Sequence, residues 1–125
     1  MKRIGLICGG FSSEYDISIK SAQTIQKNFP DHLECQFIEI SRANWQERLQ
    51  LASEIDAAII YTHGDPGENG RIQAYLDMLQ IPYINSGVLA SALSFDKWYC
   101  NQFLRGFGFA VAKSQRFHYG AQINA

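Results

Sequence analysis

Residues 63–70 gather the side chains best suited to chemistry, in the order His-Gly-Asp-Pro-Gly-Glu-Asn-Gly. Glycine lets the backbone take a positive φ and approach a ligand closely. The segment leads directly into an amphipathic helical pattern, and the start of a helix points free N–H groups at the loop before it. These features are typical of a loop that holds a small charged ligand against a helix end.

A second glycine-rich segment, residues 9–14, has the sequence Gly-Gly-Phe-Ser-Ser-Glu and stands between a predicted strand and a predicted helix. Ligands of open parallel sheets bind at the carboxyl ends of the strands, where such a loop lies. The sequence is neither GxGxxG nor a P-loop with its lysine, so a dinucleotide or P-loop function has little support.

Glu14 closes this segment, and two interpretations of it stay open. An acid in the first helical turn is stabilised by the helix dipole, by about 0.3–1 kcal/mol, and Ser13 with Asp16 fits a weak capping box. Alternatively, the Glu14 carboxylate accepts hydrogen bonds from a ligand ammonium, and such a charge-assisted bond contributes roughly 1.5–3 kcal/mol.

His63 follows the third predicted strand, so we expect it at the same edge of the sheet as Glu14. The histidine is either structural or a hydrogen-bond donor to a ligand carboxylate. Glu68 either caps the next helix or pairs with His63. We expect the side chains of Glu14 and His63 to converge on one cavity.

Asp96 and Lys97 form the third candidate, at the start of the last predicted helix. Asp96 is a predicted N-cap. Lys97 in the first turn is either a solvated surface residue or the partner of an anionic ligand, because the helix dipole disfavours a lone cation there. His32 and His118 lack partners at metal-ligand spacing, and no metal site is predicted.

Apolar periodicity predicts an α/β fold, an open doubly wound parallel sheet of about four strands with helices on both faces. The predicted strands are residues 3–8, 35–40, 57–61 and 81–84. The predicted helices are residues 15–28, 45–52, 72–79, 88–93 and a last one that follows Asp96 and ends at Gly106-Phe107-Gly108.

Composition restricts the classes of function. The chain has 125 residues, 46% of them hydrophobic, with a net charge of −1, which disfavours nucleic acid or an anionic membrane surface as a partner. No segment approaches the roughly 20 apolar residues of a membrane span. The three cysteines are far apart and odd in number, so we expect reduced thiols in a cytoplasmic protein, with Cys8 in the core.

The candidate segments together resemble the D-alanine–D-alanine ligase family, in the family's order and spacing. The matching residues are 9–14 with Ile17-Ser18, 63–70 with Ile72-Gln73, and 81–83 followed by 91–93 and Asp96-Lys97. The resemblance implies a pre-ATP-grasp-like, substrate-side amino-terminal domain at 1–108. Residues 109–125 are then the start of the next, ATP-grasp domain or a tail. Their pattern, which resembles the entry to another unit, predicts a truncated or split polypeptide, and a frayed natural terminus is the alternative.

The family joins two D-alanines in the cytoplasm for peptidoglycan synthesis, hence for cell wall biogenesis and cell shape. ATP first phosphorylates the carboxylate of one D-alanine, and the amine of the second attacks the acyl phosphate. By resemblance, Glu14 is catalytic and binds the ammonium of the first D-alanine, Ile17 lines its pocket, His63 lies beside it and Lys97 touches ATP phosphate. The family also implies magnesium, whose ligands lie beyond the matched region, and a homodimer.

Two departures from the family stand out: Asn69 replaces a usual aspartate, and Cys100-Asn101 replace a region with a second basic residue. We expect this chain alone to have no ligase activity. The alternative function is a free-standing, non-catalytic module for small-ligand binding or assembly. A ligase with D-lactate or D-serine as second substrate also stays open.

Overall fold

Four parallel strands form the predicted sheet, in the order β2-β1-β3-β4. The computed structural model describes residues 1–123. The strands are β1 (Lys2–Gly9), β2 (Leu33–Ile40), β3 (Ala57–Ile60) and β4 (Tyr83–Ile84). The helices are α1 (Tyr15–Lys27), α2 (Trp45–Leu49), α3 (Arg71–Met78), α4 (Val88–Phe95) and α5 (Lys97–Gly106), with a 3₁₀ turn at Gln50–Glu54.

Alternate residues of β1 enter two separate cores, which confirms helices on both faces. Leu6 and Cys8 are buried with Ala22 of α1 on one face. Ile7 is buried on the other face, with residues from α2, the 3₁₀ turn and α3, among them Leu76. A strand side chain alternates between the two faces, so an apolar run in a strand covered on both sides fills both cores.

The chain changes direction across the sheet at β1. It first adds β2 on one side of β1 and then crosses back to add β3 and β4 on the other. β1 and β3 are neighbours, but the connections that follow them run to opposite sides of the sheet. Such a pair of strands leaves a crevice between its carboxyl ends, and ligands of doubly wound folds bind there. The loops that carry Glu14 and His63 follow β1 and β3, so both lie at this crevice.

Two predicted elements are shorter than expected. The helix predicted over residues 45–52 is α only to Leu49 and then tightens into the 3₁₀ turn. The strand predicted over residues 81–84 is reduced to Tyr83–Ile84. Ile81 instead donates its N–H to the Leu76 carbonyl at the end of α3, 3.0 Å away, and Pro82 has no N–H to give the ladder.

The last helices form a pair in which α5 packs against α4. Asp96 caps α5 as predicted, since its Oδ1 accepts the N–H groups of Trp98 and Tyr99, each at 3.1 Å. Residues 109–123 form neither helix nor strand, and Asn124 and Ala125 lie outside the described residues. Within residues 1–123, no helix has both the length and the apolar character that crossing a membrane requires.

Candidate functional site

The loops after β1 and β3 are joined by hydrogen bonds at the carboxyl edge of the sheet. Ser12 Oγ donates to the carbonyl of His63 at 2.9 Å and accepts the N–H of Glu14 at 3.2 Å. The Phe11 N–H donates to the carbonyl of Asp65 at 2.7 Å. One hydroxyl therefore links the backbones of the two principal candidate residues.

Glycines at two positions allow this close approach. Gly10 has φ +113°, and a Cβ there would lie 3.1 Å from the His63 carbonyl oxygen. Gly64 has φ +72°, and its Cβ would lie 2.9 Å from Ser12 Cβ. A positive φ is strained for other residues, so these glycines are needed for their conformation as well as for the space they leave.

Glu14 is the N-cap residue of α1, and its side chain does not cap the helix. The predicted capping box of Ser13 and Asp16 is wrong, because Ser12 is the residue that approaches the backbone at this end, accepting the Glu14 N–H. Glu14 is exposed, and Ile17, one turn further along α1, is 55% exposed. The carboxylate and the apolar side chain are thus accessible to a ligand.

Glu68 follows neither of the two predicted alternatives. Its Oε2 accepts the N–H of Gly64 at 2.5 Å, so the carboxylate closes the loop on itself. The Gly64 carbonyl in turn accepts the N–H groups of Gly67 and Glu68, at 3.1 and 2.9 Å. The His63 ring lies edge-on to Tyr61, with ring centroids 5.7 Å apart.

Asn69, the departure from the family, takes part in a small polar cluster. Its Nδ2 donates to Asp65 Oδ1 at 2.7 Å, and Arg71 Nη1 donates to both oxygens of the same carboxylate at 3.0 Å. An aspartate at position 69 has no N–H to donate to Asp65. The amide therefore replaces the family's charge with a hydrogen bond.

Ser18 is a buried residue that the chemical interpretation of the sequence missed. It is fully buried, accepts the N–H of Gly9 at 2.8 Å and donates to the carbonyl of Tyr61 at 2.7 Å. Its hydroxyl thus connects α1 to the ends of β1 and β3. A serine in an amphipathic helix carries no sequence signal that separates this role from a surface position.

Two small cavities lie beside the His63 loop. The first, of about 220 Å³, is lined by residues that include Thr62, His63 and Glu68. The second, of about 180 Å³, shares Gly67, Glu68 and Asn85 with the first and extends to the serines of α4. Glu14 lines neither cavity, so the expected convergence of Glu14 and His63 on one cavity remains a prediction.

Lys97 is hydrogen-bonded to a residue that lines the second cavity. It is the first residue of α5, it is exposed, and its Nζ donates to the Ser94 carbonyl at 2.7 Å. Ser94 lines the second cavity. Hydrogen bonds therefore join the Glu14 and His63 loops directly. Lys97 is hydrogen-bonded to Ser94 of α4 and not to either loop.

Two ionisable groups near β1 have pKa values raised to about 12. A hydrogen bond from the Tyr15 hydroxyl to Glu39, together with burial, raises the pKa of Tyr15 to about 12. Burial, aided by the nearby Glu39 charge, raises the pKa of Cys8 to about 12. Cys8 is a core residue, as predicted, and all three cysteines are unpaired. Among residues 1–123, no cluster of three His, Cys, Asp or Glu side chains could hold a metal ion.

Solved structures of D-alanine–D-alanine ligases contain a domain similar to this chain. The D-alanine–D-alanine ligase from Bacillus anthracis, solved as a complex with ATP, matches 99% of this chain with a TM-score of 0.85 and 31% identity, over 43% of its own length. No protein-family model matches the chain.

Curated relatives of the chain carry the same name. The D-alanine–D-alanine ligase of Bacteroides thetaiotaomicron is 35% identical over 99% of this chain and 44% of its own length. That of Azobacteroides pseudotrichonymphae is 37% identical over 91% of this chain and 41% of its own length. The chain is homologous to the amino-terminal part of the D-alanine–D-alanine ligases, which confirms the predicted resemblance. It spans less than half the length of these relatives.

Proposed function

We propose that this chain is the substrate-side domain of an ATP-dependent ligase that joins two D-alanines for peptidoglycan synthesis. The observation that carries the proposal is the match to named D-alanine–D-alanine ligases along 99% of the chain. The glycine-rich loops at the switch point of the sheet support it, because ligands of this fold class bind there. Residues 1–108 would form this domain, and residues 109–125 would begin the next.

Glu14 and His63 are proposed to bind the two charged ends of the first D-alanine. An exposed carboxylate at the start of α1 is an acceptor for the ammonium group, and a charge-assisted hydrogen bond of this kind contributes roughly 1.5–3 kcal/mol. The imidazole of His63 can donate to the carboxylate. Ile17, one turn from Glu14, would contact the methyl group.

Lys97 is proposed to contact an ATP phosphate. Its ammonium is exposed and already oriented by the Ser94 carbonyl, and a fixed cation stabilises charge that develops on a transferring phosphoryl group. ATP would supply the phosphoryl group that activates the D-alanine carboxylate. Within residues 1–123, no group of three His, Cys, Asp or Glu side chains could hold a metal ion. The ligands of magnesium would therefore come from outside these residues.

The partners proposed for the whole protein are D-alanine, ATP and a second copy of itself. Large apolar side chains are exposed on the last two helices and after them, at Leu89, Phe103, Phe107 and Phe109. The rings of Phe103 and Phe107 lie together, with centroids 5.0 Å apart. Adjacent exposed apolar side chains mark interaction sites, and equilibrium sedimentation tests for the homodimer. The unpaired cysteines support a cytoplasmic location.

A hybrid enzyme tests the proposed function. This chain replaces the matching amino-terminal part of the B. thetaiotaomicron ligase, and phosphate release is measured with ATP and D-alanine. We expect activity from the hybrid and none from the 125-residue chain alone. Glu14→Gln should lower the activity of the hybrid by at least about tenfold, the equivalent of one lost charge-assisted bond.

Asp16→Asn is the matched control, because Asp16 is an exposed acid in the first turn of the same helix. It should leave the activity of the hybrid unchanged. Equal losses in both variants would show that Glu14 acts only through the charge at this helix end. A folded hybrid without activity would contradict the assigned function.

A further inference from the structure

We propose that Gln73 is a positioning residue, which holds the His63 loop against α4 and thereby fixes the loop relative to the α4–α5 pair that carries Lys97. The inference rests on the proposed function in one respect: it treats His63 and Lys97 as parts of one substrate site. The hydrogen bonds that carry it are independent of any ligand.

Gln73 is a buried amide on an otherwise apolar helix face. It is 2% exposed and follows the buried Ile72 on α3. Its Nε2 donates to the Gly67 carbonyl at 2.7 Å and to Ser91 Oγ at 3.3 Å. Burying an amide is unfavourable unless it is hydrogen-bonded. The two bonds satisfy Nε2, whereas Oε1 is buried without a hydrogen-bond partner, so the nitrogen is the part of the amide that links the loop to α4.

On the loop side, Gln73 holds a carbonyl that belongs to a closed turn. Gly67 donates its N–H to the Gly64 carbonyl at 3.1 Å, and the Gly64 N–H is bound by the Glu68 carboxylate. Gly67 cannot carry a side chain, because a Cβ would lie 1.5 Å from Thr62 Oγ1. Fixing the Gly67 carbonyl therefore fixes the residue that follows His63.

On the helix side, hydrogen bonds continue from Ser91 to Lys97. Ser91 Oγ donates to the Ser86 carbonyl at 3.1 Å, and the Ser91 carbonyl accepts from Ser94 Oγ at 3.2 Å. The Ser94 carbonyl accepts from Lys97 Nζ at 2.7 Å. The Gln73 amide is thus the point at which this series of bonds meets the His63 loop.

Other contacts near α4 do not replace this link. The Asn85 side chain pairs with the backbone N–H and carbonyl of Ile60, at 2.9 and 3.1 Å, and so ties the start of the α4 segment to β3. Gly70 approaches Val88 closely, but without a hydrogen bond. Within residues 1–123, no other side chain connects residues 63–70 to α4 through hydrogen bonds.

Amide hydrogen exchange of the chain without ligand tests the proposal. In Gln73→Met, which keeps the length of the side chain but removes both bonds, Gly64 should exchange at least about tenfold faster relative to the core amides of β1. Ser91→Ala, which keeps the Gln73–Gly67 bond but removes the bonds of the Ser91 hydroxyl to Gln73 and to the Ser86 carbonyl, should give a smaller acceleration and also shift the Lys97 amide resonance. Ile38→Val is the control, since it weakens the core without touching these bonds.

Gln73→Glu supplies a second readout, the pH dependence of Gly64 protection, which a purely structural role of residue 73 would not change. A protonated carboxyl can donate to the Gly67 carbonyl, whereas a carboxylate cannot. Burial beside a carbonyl oxygen raises the carboxyl pKa, so the bond forms at low pH and is lost as the pH rises. Gly64 protection, corrected for intrinsic exchange, should follow the same change.

The proposal would be overturned if amide exchange in Gln73→Met were accelerated equally at Gly64 and at the core amides of β1. That is the result expected for the control Ile38→Val. Equal protection of Gly64 at low and neutral pH in Gln73→Glu would also overturn the proposal. The exchange experiment contains no ligand. If D-alanine failed to bind in a separate measurement, the proposed function would be contradicted, but the positioning role of Gln73 would not.

Discussion

The Ser12 hydroxyl donates to the carbonyl of His63 at 2.9 Å, across the crevice between the ends of β1 and β3. The same oxygen accepts the N–H of Glu14 at 3.2 Å. A serine that lies between the two residues proposed to bind substrate thus sets the distance between their backbones.

Ser12→Ala should lower the free energy of unfolding by about 1 kcal/mol, because it leaves the Glu14 N–H without its acceptor. The backbone resonances of His63 should shift, since its carbonyl loses a donor. Ser53→Ala is the control, as its hydroxyl bonds only to the exposed Gln50 carbonyl. Unchanged His63 resonances in Ser12→Ala would contradict this account of the two loops.

Gly67→Ala should destabilise the fold by about 1–3 kcal/mol, the usual cost of overpacking. Its Cβ would lie 1.5 Å from Thr62 Oγ1 and 2.8 Å from Thr62 Cβ, and Thr62 is only 6% exposed, so the neighbour has little room to move. Gly106→Ala is the matched control, because no atom beyond its chain neighbours and its own helix backbone lies within 4 Å of its Cβ position. Urea denaturation should show Gly106→Ala to be as stable as the parent or more stable.

Cys8 should resist alkylation in the native protein. Burial raises its pKa from 9.0 to about 12, and only the thiolate is the nucleophile. Iodoacetamide at pH 8 followed by mass spectrometry should leave Cys8 unmodified until denaturant is added. The unfolded thiol ionises at lower pH than the native one, so this thiol's contribution to stability is lost as the pH rises from about 9 to 12. Rapid native labelling of Cys8 would contradict its place in the core.

Asn69→Asp, which restores the residue usual in the family, should destabilise this chain by about 1–2 kcal/mol at neutral pH. The change removes the donor to Asp65, 2.7 Å away, and puts a second carboxylate in its place. Like charges raise the pKa of a carboxyl pair, so the penalty is present at neutral pH and is relieved as the pH falls and the pair takes up a proton. Arg71, bound to Asp65, limits the loss. A penalty that is the same at pH 4 and pH 7 would contradict this explanation.

The sheet and the two loops could be predicted because their signals are local. Buried strands were recognised by apolar runs, and the turn after β1 by Gly9 and Gly10, both at positive φ in the structure. Asp96 was recognised as a cap by its place before an amphipathic stretch, and the structure confirms it.

The polar core of the site could not be predicted, because its residues act through distant partners. Gln73 and Ser18 lie on helices whose periodicity describes only apolar positions, and their acceptors are 6 to 43 residues away in sequence. Glu68 was expected to cap a helix or to pair with His63, yet it binds the Gly64 N–H. A carboxylate four residues after a glycine fits all three arrangements until the loop geometry is known.

Titration of the ¹⁵N-labelled chain with D-alanine tests the central claim most directly, with L-alanine as the control ligand. We predict chemical-shift changes confined to the surroundings of Glu14, Ile17 and His63, which are lost in Glu14→Gln and retained in Asp16→Asn. The absence of shifts with D-alanine would contradict the claim that this domain binds the amino acid, and shifts of equal size in Glu14→Gln and the parent chain would contradict the claim that Glu14 binds its ammonium group.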